Sequence, residues 1–300
     1  MMNGFINVYK EKGYTSHDVV AKLRGILKQK RIGHTGTLDP AAEGVLPVCL
    51  GRATRLADEI STGTKTYRAV MILGVETDTW DMEGRILYEK AAAFNFSEIN
   101  AAVSSFIGEV LQVPPMYSAR KVDGKRLYEL AREGREVERK PAPVRFYDIS
   151  IVKYDLPEVT LHVTCSKGTY IRSLCHDIGE KLGCGGTLQS LLRTRVGRFE
   201  LEDAMRLSEI QLFADRGRIS EAVLTVPDMF PELPRAHTGK EYDAAALNGN
   251  ILQRTWFAEE NALAGKERIL VYNSEGRLIG LYRKHAEEDA FVPDKMLLED

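Results

Sequence analysis

The sequence is poor in the features that mark membrane, secreted and metal-binding proteins. It contains four cysteines with no CxxC pair, and it has no apolar run long enough to cross a membrane. We therefore predict a cytoplasmic protein without membrane contact, whose thiols are reduced and buried in the core. A zinc site built from Cys165, Cys175, His176 and Cys184 is the weaker alternative, because these spacings match no ribbon or finger. No metal or cofactor is predicted.

The sequence also lacks an excess of either charge. It has 41 Lys and Arg against 43 Asp and Glu, so any affinity for nucleic acid must come from locally basic surface. Basic residues concentrate between Lys22 and Arg31, and again between Arg120 and Arg145, where nine basic residues face five acidic ones beside Tyr117 and Tyr128. Each segment is either a phosphate-contacting surface or a solvated face, and composition alone leaves both open.

Periodic segments predict a mixture of strands and helices. Alternating apolar residues indicate strands in "GFINVYK", "KTYRAVMILG" and "VTLHVTC", with Tyr67, Ala69, Met71 and Leu73 on one side of the second. Helical spacing indicates helices that follow Thr15 or Ser16, run from Ser97 to about Gly108, and end at Gly134 and Gly183. Because these elements do not alternate regularly as βαβ units, we predict an α+β fold, with helices flanking a largely antiparallel sheet.

The last seventy residues differ from the rest in the length of their periodic segments. Beyond "VPDMFPELPR" the segments are short, and "ERILVYNSEGRLIGLYRK" reads as a hairpin that turns at Ser274 to Gly276. We therefore predict two domains, 1–229 and a smaller β-rich 230–300, with the boundary near Phe230. The acidic C-terminal end, which includes Glu287, Glu288, Asp289, Glu299 and Asp300, is expected to be solvated.

One acid, Asp39, stands in a run of Gly, Thr and Pro, and no other acid lies between Val19 and Leu38. Nearby glycines allow tight turns, and Pro40 disfavours helix at Asp39, so the carboxylate lies on an irregular loop. Such an aspartate either makes a turn hydrogen bond or acts as a positioned nucleophile or base. Metal binding by Asp39 and His34 lacks a third ligand, and no Walker loop or second close carboxylate is present.

Several segments, taken together and in order, resemble one family. "GHTGTLDPAAEGVLPVCLGRATRL" closely resembles the catalytic motif of the TruB family of tRNA pseudouridine synthases. The resemblance continues through "KTYRA", "TDTWDMEG", "QVPPMYSARKVDGKRLYELAREG", "SKGTYIRSLCHDIG" and "LQSLLRTRVGRF". The segment "GRLIGLY" looks like part of a divergent PUA-type RNA-binding domain.

The resemblance implies a pseudouridine synthase fold and a defined reaction. The uridine of the tRNA T loop (uridine-55) would be detached at N1, rotated in the pocket and rejoined to the ribose through C5, without a cofactor. Asp39 matches the essential nucleophilic aspartate, Tyr67 the tyrosine that stacks on the flipped base and removes the C5 proton, and Arg172 the arginine that pairs with the aspartate. The partner would be the T arm of tRNA, bound by a monomer.

Further matches concern the substrate. Tyr170 and Leu191 match pocket residues, Asp81 lies where the family has a polar partner for Tyr67, and His34 matches a histidine that contacts the displaced T loop. Two other hypotheses remain open: a non-catalytic protein of the same fold that binds and folds tRNA, and the same isomerisation on another RNA. Retention of Asp39 favours an enzyme over the first of these.

Overall fold

The computed structural model describes residues 1–118, 120–122, 124–135 and 137–298. Glu299 and Asp300, the end of the predicted acidic terminus, lie outside the described residues. Helices and strands have the following bounds: β1 Gly4–Lys10, α1 Ser16–Leu27, β2 Ile32–His34, β3 Glu43–Leu50, α2 Ala57–Ser61, β4 Lys65–Leu73, β5 Val75–Thr77, β6 Ile86–Glu89, α3 Phe96–Ser104, β7 Gly108–Gln112, β8 Lys121–Val122, β9 Lys125–Arg126, α4 Leu127–Arg132, β10 Ala142–Asp155, β11 Glu158–Cys165, α5 Ile171–Leu182, β12 Gly186–Val196, β13 Phe199–Glu200, α6 Leu207–Asp215, α7 Val226–Met229, β14 Arg235–His237, α8 Asp243–Leu247, β15 Leu252–Gln253, β16 Arg268–Tyr272, β17 Leu278–Lys284 and β18 Ala290–Met296.

A large mixed sheet forms the centre of the molecule. Its strands follow the order β1-β3-β12-β4-β11-β10-β7, with β2 added to β3 and β13 to β12. Neighbours are antiparallel except β3 and β12, which run parallel. The α+β fold with a largely antiparallel sheet is therefore confirmed. The strands β3, β12 and β4 lie side by side, and this arrangement brings distant parts of the sequence together.

The main core lies on one face of this sheet, against α3 and α5. The inward residues of β4 are buried, as the alternation in the sequence predicts, and they pack with Leu174 and Ile178 of α5. The thiols of all four cysteines are free and buried, so they act as small core residues. Burial on this face fixes the register of β4, because a shift of one residue would turn its apolar side outward.

A second, five-stranded sheet follows near the C-terminus, in the order β14-β16-β17-β18-β15. It packs against the large sheet through an apolar cluster that includes Phe5, Val45 and Leu281. Buried Arg52 donates to the carbonyl of Leu297 at 2.9 Å and ties the last strand to the segment after β3. The predicted β-rich C-terminal part is thus present, while the boundary near Phe230 stays a prediction.

Most predicted elements are found, and the differences lie at their ends. The helix predicted from Ser97 to about Gly108 covers Phe96–Ser104 instead, because Gly108 has φ +109° and begins β7. The segment "SKGTYIR" after the strand "VTLHVTC" predicts a turn that carries Tyr170 and Arg172, but helix α5 begins at Ile171, so Arg172 lies in the first turn of the helix. Within the described ranges, no helix is both long and apolar enough to span a membrane.

Candidate functional site

A cleft of about 500 Å³ opens beside β4 and β12, at the N-terminus of α5. It is lined by residues 35–39 and 168–172 and by Ser61, Lys65, Tyr67, Ser118, Lys167, Leu191 and Arg193. Small-molecule and cofactor sites commonly occupy about 300–1,000 Å³, so the cleft has the size to hold one nucleotide base with part of its sugar.

Two buried side chains hydrogen-bond the backbone of the loop that carries Asp39. Ser16, the first residue of α1, exchanges hydrogen bonds with the backbone of Leu38 at 2.9 and 3.2 Å. The Lys10 ammonium, at the end of β1, donates to the carbonyls of Pro40 at 3.2 Å and Ala42 at 2.5 Å. These bonds satisfy backbone groups on both sides of Asp39 and fix where its carboxylate points.

Lys10 is fully buried, and its charge is disfavoured there. Burial lowers the pKa of its ammonium to about 8, although the carboxylates of Asp39 and Glu43 act in the opposite direction. The carbonyl oxygens around it accept from the ammonium, so we regard Lys10 as a cationic support of the loop at neutral pH.

Asp39 forms an ion pair with Arg172 across the cleft. The Arg172 Nη2 lies 2.8 Å from Asp39 Oδ2; the arginine side chain is 5% exposed and the aspartate 45%. The carboxylate therefore faces the open cleft while its partner is enclosed. Gln112 holds the start of α5 by bonding the backbone N–H of Tyr170 at 2.8 Å and its carbonyl at 3.0 Å. The ion pair favours the ionised carboxylate, the form that a nucleophile requires.

The same guanidinium bonds three further groups. It donates to the carbonyls of Tyr117 at 2.7 Å and Thr79 at 3.2 Å, and its Nη1 lies 3.4 Å from the Asp81 carboxylate. The resemblance suggests Asp81 as a polar partner of Tyr67, which stays a prediction; the contact seen in the structure is with Arg172. The reason is that the turn before β6 places Asp81 beside the N-terminus of α5, with Thr79 bonding its carboxylate at 2.7 Å.

Trp80, which lies between Thr79 and Asp81 in the sequence, has an unusual backbone conformation. Its φ is +62°, which costs free energy for a bulky residue and must be offset by contacts. The indole stacks on His176 with 4.2 Å between ring centroids, and the Arg139 guanidinium lies 5.2 Å from its centroid. His176 in turn bonds the buried Glu76 carboxylate at 2.8 Å. Trp80 thus anchors the turn that presents Thr79 and Asp81 to Arg172.

Tyr67 and Arg193 are cross-strand neighbours. Arg193 on β12 is in register with Tyr67 on β4 and with Gly44 on β3. Burial raises the pKa of the Tyr67 hydroxyl to about 12, and the nearby charge of Arg193 opposes the rise. A Cβ on Gly44, whose φ is +104°, would lie 2.2 Å from the Arg193 carbonyl oxygen, so only glycine fits there. Close approach of β3 to Arg193 therefore depends on this glycine.

Most of the predicted site residues meet at the cleft. Asp39, Tyr67, Arg172, Tyr170 and Leu191 all line it. Asp81 lies behind Arg172 and reaches the site through the ion pair.

His34 lies on β2, just before the loop, and is not among the residues that line the cleft. It is partly buried, and burial lowers the pKa of its imidazole.

Three basic residues were not predicted from the sequence: Lys10, Lys65 and Arg193. All are buried, and Lys65 and Arg193 line the cleft. Their signal is a charged residue at an inward position of an alternating strand: Arg193 follows Leu191 by two residues, so both side chains point to the same face. Such a residue breaks the apolar pattern and requires buried partners.

Comparison with known proteins gives a consistent result. The family model for the TruB family pseudouridylate synthase N-terminal domain matches residues 24–171, and that for the tRNA pseudouridylate synthase B C-terminal domain matches residues 172–225. A Lachnoclostridium phytofermentans protein named tRNA pseudouridine synthase B is 46% identical, over 99% of this chain and all of its own length. A protein of the same name from Alkaliphilus oremlandii is 41% identical over 99% of both chains.

Solved structures agree in fold. A chain from the structure of an H/ACA RNP bound to a substrate RNA containing 2′-deoxyuridine has a TM-score of 0.72 and 25% identity, over 99% of this chain and 85% of its own. A chain of a Cbf5-Nop10-Gar1 complex has a TM-score of 0.72 and 26% identity, over 98% and 85%. With the family models and these full-length relatives, the chain belongs to the TruB family of pseudouridylate synthases, which are isomerases.

Proposed function

We propose that this enzyme isomerises the T-loop uridine of tRNA, position 55, with Asp39 as the nucleophile. The base leaves the ribose at N1, turns within the cleft and is rejoined through C5. The hydrogen on C5 then leaves as a proton, and its electron pair restores the ring double bond. The relatives named tRNA pseudouridine synthase B support tRNA as the substrate. The motif around Asp39 supports the T loop as the target.

The observation that carries the proposal is the Asp39–Arg172 ion pair at the cleft mouth. A nucleophilic carboxylate must remain ionised when the substrate excludes water from the site. The enclosed Arg172 supplies the opposing charge, while the half-exposed Asp39 side chain remains accessible from the cleft. The pair thus meets the two requirements of an aspartate nucleophile, which are accessibility and a fixed charge state.

The walls of the cleft suit a base taken out of its stack. Extrusion of a base costs a few kcal/mol, which contacts in the pocket must return. Tyr67 offers an aromatic face and Leu191 an apolar side, and stacking on an aromatic ring is worth about 1–3 kcal/mol per base. Tyr170, which also lines the cleft, adds a hydroxyl group. We assign Tyr67, Tyr170 and Leu191 to binding of the flipped base.

The test uses an unmodified T-arm stem-loop that carries 5-tritiated uridine at position 55. Wild type is expected to release tritium, since the reaction replaces the C5–H bond by the new glycosidic bond. Asp39→Asn is nearly isosteric, and we expect it to bind the RNA and to release none. A second stem-loop, labelled only at a stem uridine, measures release at other positions. Equal release from both RNAs would contradict T-loop specificity, and release by Asp39→Asn would contradict its role as nucleophile.

A second candidate is the same reaction on another RNA. It is favoured by the similarity in fold to a chain of an H/ACA RNP bound to a substrate RNA containing 2′-deoxyuridine. The active-site residues serve both candidates equally, so only the substrate separates them. Release of tritium from uniformly 5-tritiated total RNA, without release from the T-arm stem-loop, would select the second candidate. Tight RNA binding without release from either RNA would indicate a binding protein.

A further inference from the structure

Arg193 is a buried cation without an acidic partner. Its side chain is 1% exposed, and among the residues described here no carboxylate forms an ion pair with it. Buried charges in proteins are normally paired, because an isolated charge loses its hydration without compensation. The ionisable groups whose charges favour its protonated form are Tyr67 and Cys165, both normally neutral. Arg193 therefore presents an uncompensated positive charge to the base of the cleft.

The guanidinium contacts both the loop and the reacting tyrosine. Its Nε donates to the Val45 carbonyl at 2.7 Å, and its two Nη atoms donate to the carbonyls of Gly36 at 3.2 Å and Thr37 at 3.4 Å. It also lies beside Tyr67, its cross-strand partner on β4, and both side chains line the cleft. One planar group thus joins the backbone just before Asp39 to the side chain on β4 that faces the same cleft.

We propose that Arg193 is a positioning residue for the second half of the isomerisation, in which it holds the Tyr67 oxygen in place and stabilises its phenolate form. The inference rests on the proposed function. After the base has been rejoined through C5, this carbon still carries its hydrogen. The proton passes from C5 to the Tyr67 phenolate oxygen, and the electron pair of the C–H bond restores the C5–C6 double bond. The electron pair of the N1–C6 double bond returns to N1, which takes up a proton from solvent. The phenol then loses the proton to solvent.

The need for such a group follows from the burial of Tyr67. Burial disfavours the phenolate and raises the pKa of Tyr67 to about 12, so the hydroxyl alone is a poor proton acceptor at neutral pH. A fixed positive charge in a site that excludes water acts strongly on a charge that develops beside it. Arg193 has this location, and Arg172 does not supply the charge, because it is engaged by Asp39 and Asp81.

The test measures cleavage of the C5–H bond directly. Single-turnover rates, with enzyme in excess, are compared for T-arm stem-loops that carry hydrogen or deuterium at C5 of the target uridine. Arg193→Met removes the charge, and Arg193→Lys keeps the charge but not the planar fork. Arg52→Met is the matched control, since Arg52 is also buried and donates to a backbone carbonyl, that of Leu297, away from the cleft.

We expect Arg193→Met to slow the reaction about 100-fold relative to Arg52→Met, because a general base typically contributes about 10²–10⁴-fold. C5–H cleavage then limits the rate, so deuterium slows the variant at least as much as it slows wild type. Arg193→Lys is expected to recover part of the rate.

A rate equal to that of Arg52→Met, or a hydrogen-to-deuterium rate ratio of 1 in Arg193→Met, would overturn the inference. If Arg193→Met does not fold, the hydrogen-to-deuterium rate ratio is measured in Arg193→Lys. A ratio of 1 in a slowed Arg193→Lys would overturn the inference. Failure of wild type to convert the uridine would instead reject the proposed function.

Discussion

Replacing Arg172 by methionine tests the ion pair on which the proposed nucleophile depends. Methionine keeps most of the volume of the side chain but removes the charge and all five N–H donors. Asp39 would lose its partner at 2.8 Å, and the carbonyls of Tyr117 and Thr79 would lose their donors. We expect a fall in turnover that exceeds the fall in RNA affinity, because the Arg172 side chain is only 5% exposed and is enclosed behind Asp39.

The size of the effect follows from the separation and the exposure of the pair. Two unit charges 2.8 Å apart interact by about 6 kcal/mol at an effective dielectric constant near 20, and by about 1.5 kcal/mol at the value for water. The Asp39 side chain is 45% exposed, so the pair lies between these limits and the larger figure must be discounted. A loss of about 3 kcal/mol corresponds to roughly a 100-fold fall in turnover.

The assay separates chemistry from binding. Tritium release under single-turnover conditions gives the rate on bound RNA, and fluorescence anisotropy of a labelled T-arm stem-loop gives the affinity. Arg52→Met again controls for loss of a buried arginine, and thermal denaturation shows whether each variant is folded at the assay temperature. If affinity falls as much as turnover, or if turnover of bound RNA changes less than about threefold, the pairing argument is wrong.

Three further predictions address the surface, the backbone and a buried charge. Replacing exposed Lys28 and Lys30 by alanine should reduce the magnitude of the slope of log affinity against log salt concentration, by about 0.9 for each phosphate that the protein no longer neutralises. Lys266→Ala is the control and is expected to leave the slope unchanged. An unchanged slope after replacement of Lys28 and Lys30 would exclude them from the RNA interface. Gly44→Ala should lower the free energy of unfolding by about 3 kcal/mol in urea titrations, since its Cβ meets the Arg193 backbone. Gly13→Ala, with a similar positive φ and open space, should cost less. Burial lowers the pKa of Lys65 to about 8; the folded state then releases its proton before the unfolded state does, so this group should raise the free energy of unfolding between about pH 8 and 10.5, by at most about 3 kcal/mol. Lys65→Met should remove this part of the rise and leave the part due to Lys10, because burial lowers the pKa of Lys10 to about 8 as well.

The sequence predicted the elements of the site better than their contacts. Alternation on β4 predicted the inward position of Tyr67, because burial of one face of a strand leaves a period of two that is visible without a structure. The isolated acid in a glycine-rich loop singled out Asp39. The pairing of Asp39 with Arg172 came only from the resemblance to a family, since the two residues are 133 positions apart and no local pattern joins them.

Contacts that depend on turn geometry were not predictable in this way. The contact of Asp81 with Arg172 depends on a turn in which Trp80 has φ +62°, and nothing in the sequence indicates a positive φ at a tryptophan. Arg193 was missed for a different reason. A basic residue in a strand is usually exposed, so the position of Arg193 two residues after Leu191 does not by itself predict burial; β12 lies between β3 and β4, and this strand order encloses the side chain.

That strand order explains why the site forms at this point of the sheet. The parallel pairing of β3 with β12 sets Gly44 opposite Arg193, while the antiparallel pairing of β12 with β4 sets Arg193 opposite Tyr67. The Asp39 loop precedes β3 directly, so the register that places Arg193 beside Tyr67 also places it under the carbonyls of Gly36 and Thr37. A change of register in either pairing would separate the aspartate from the tyrosine. The spacing of Asp39 and Tyr67 is therefore a property of the sheet, and Arg193 contacts the loop of the one and is in register with the other.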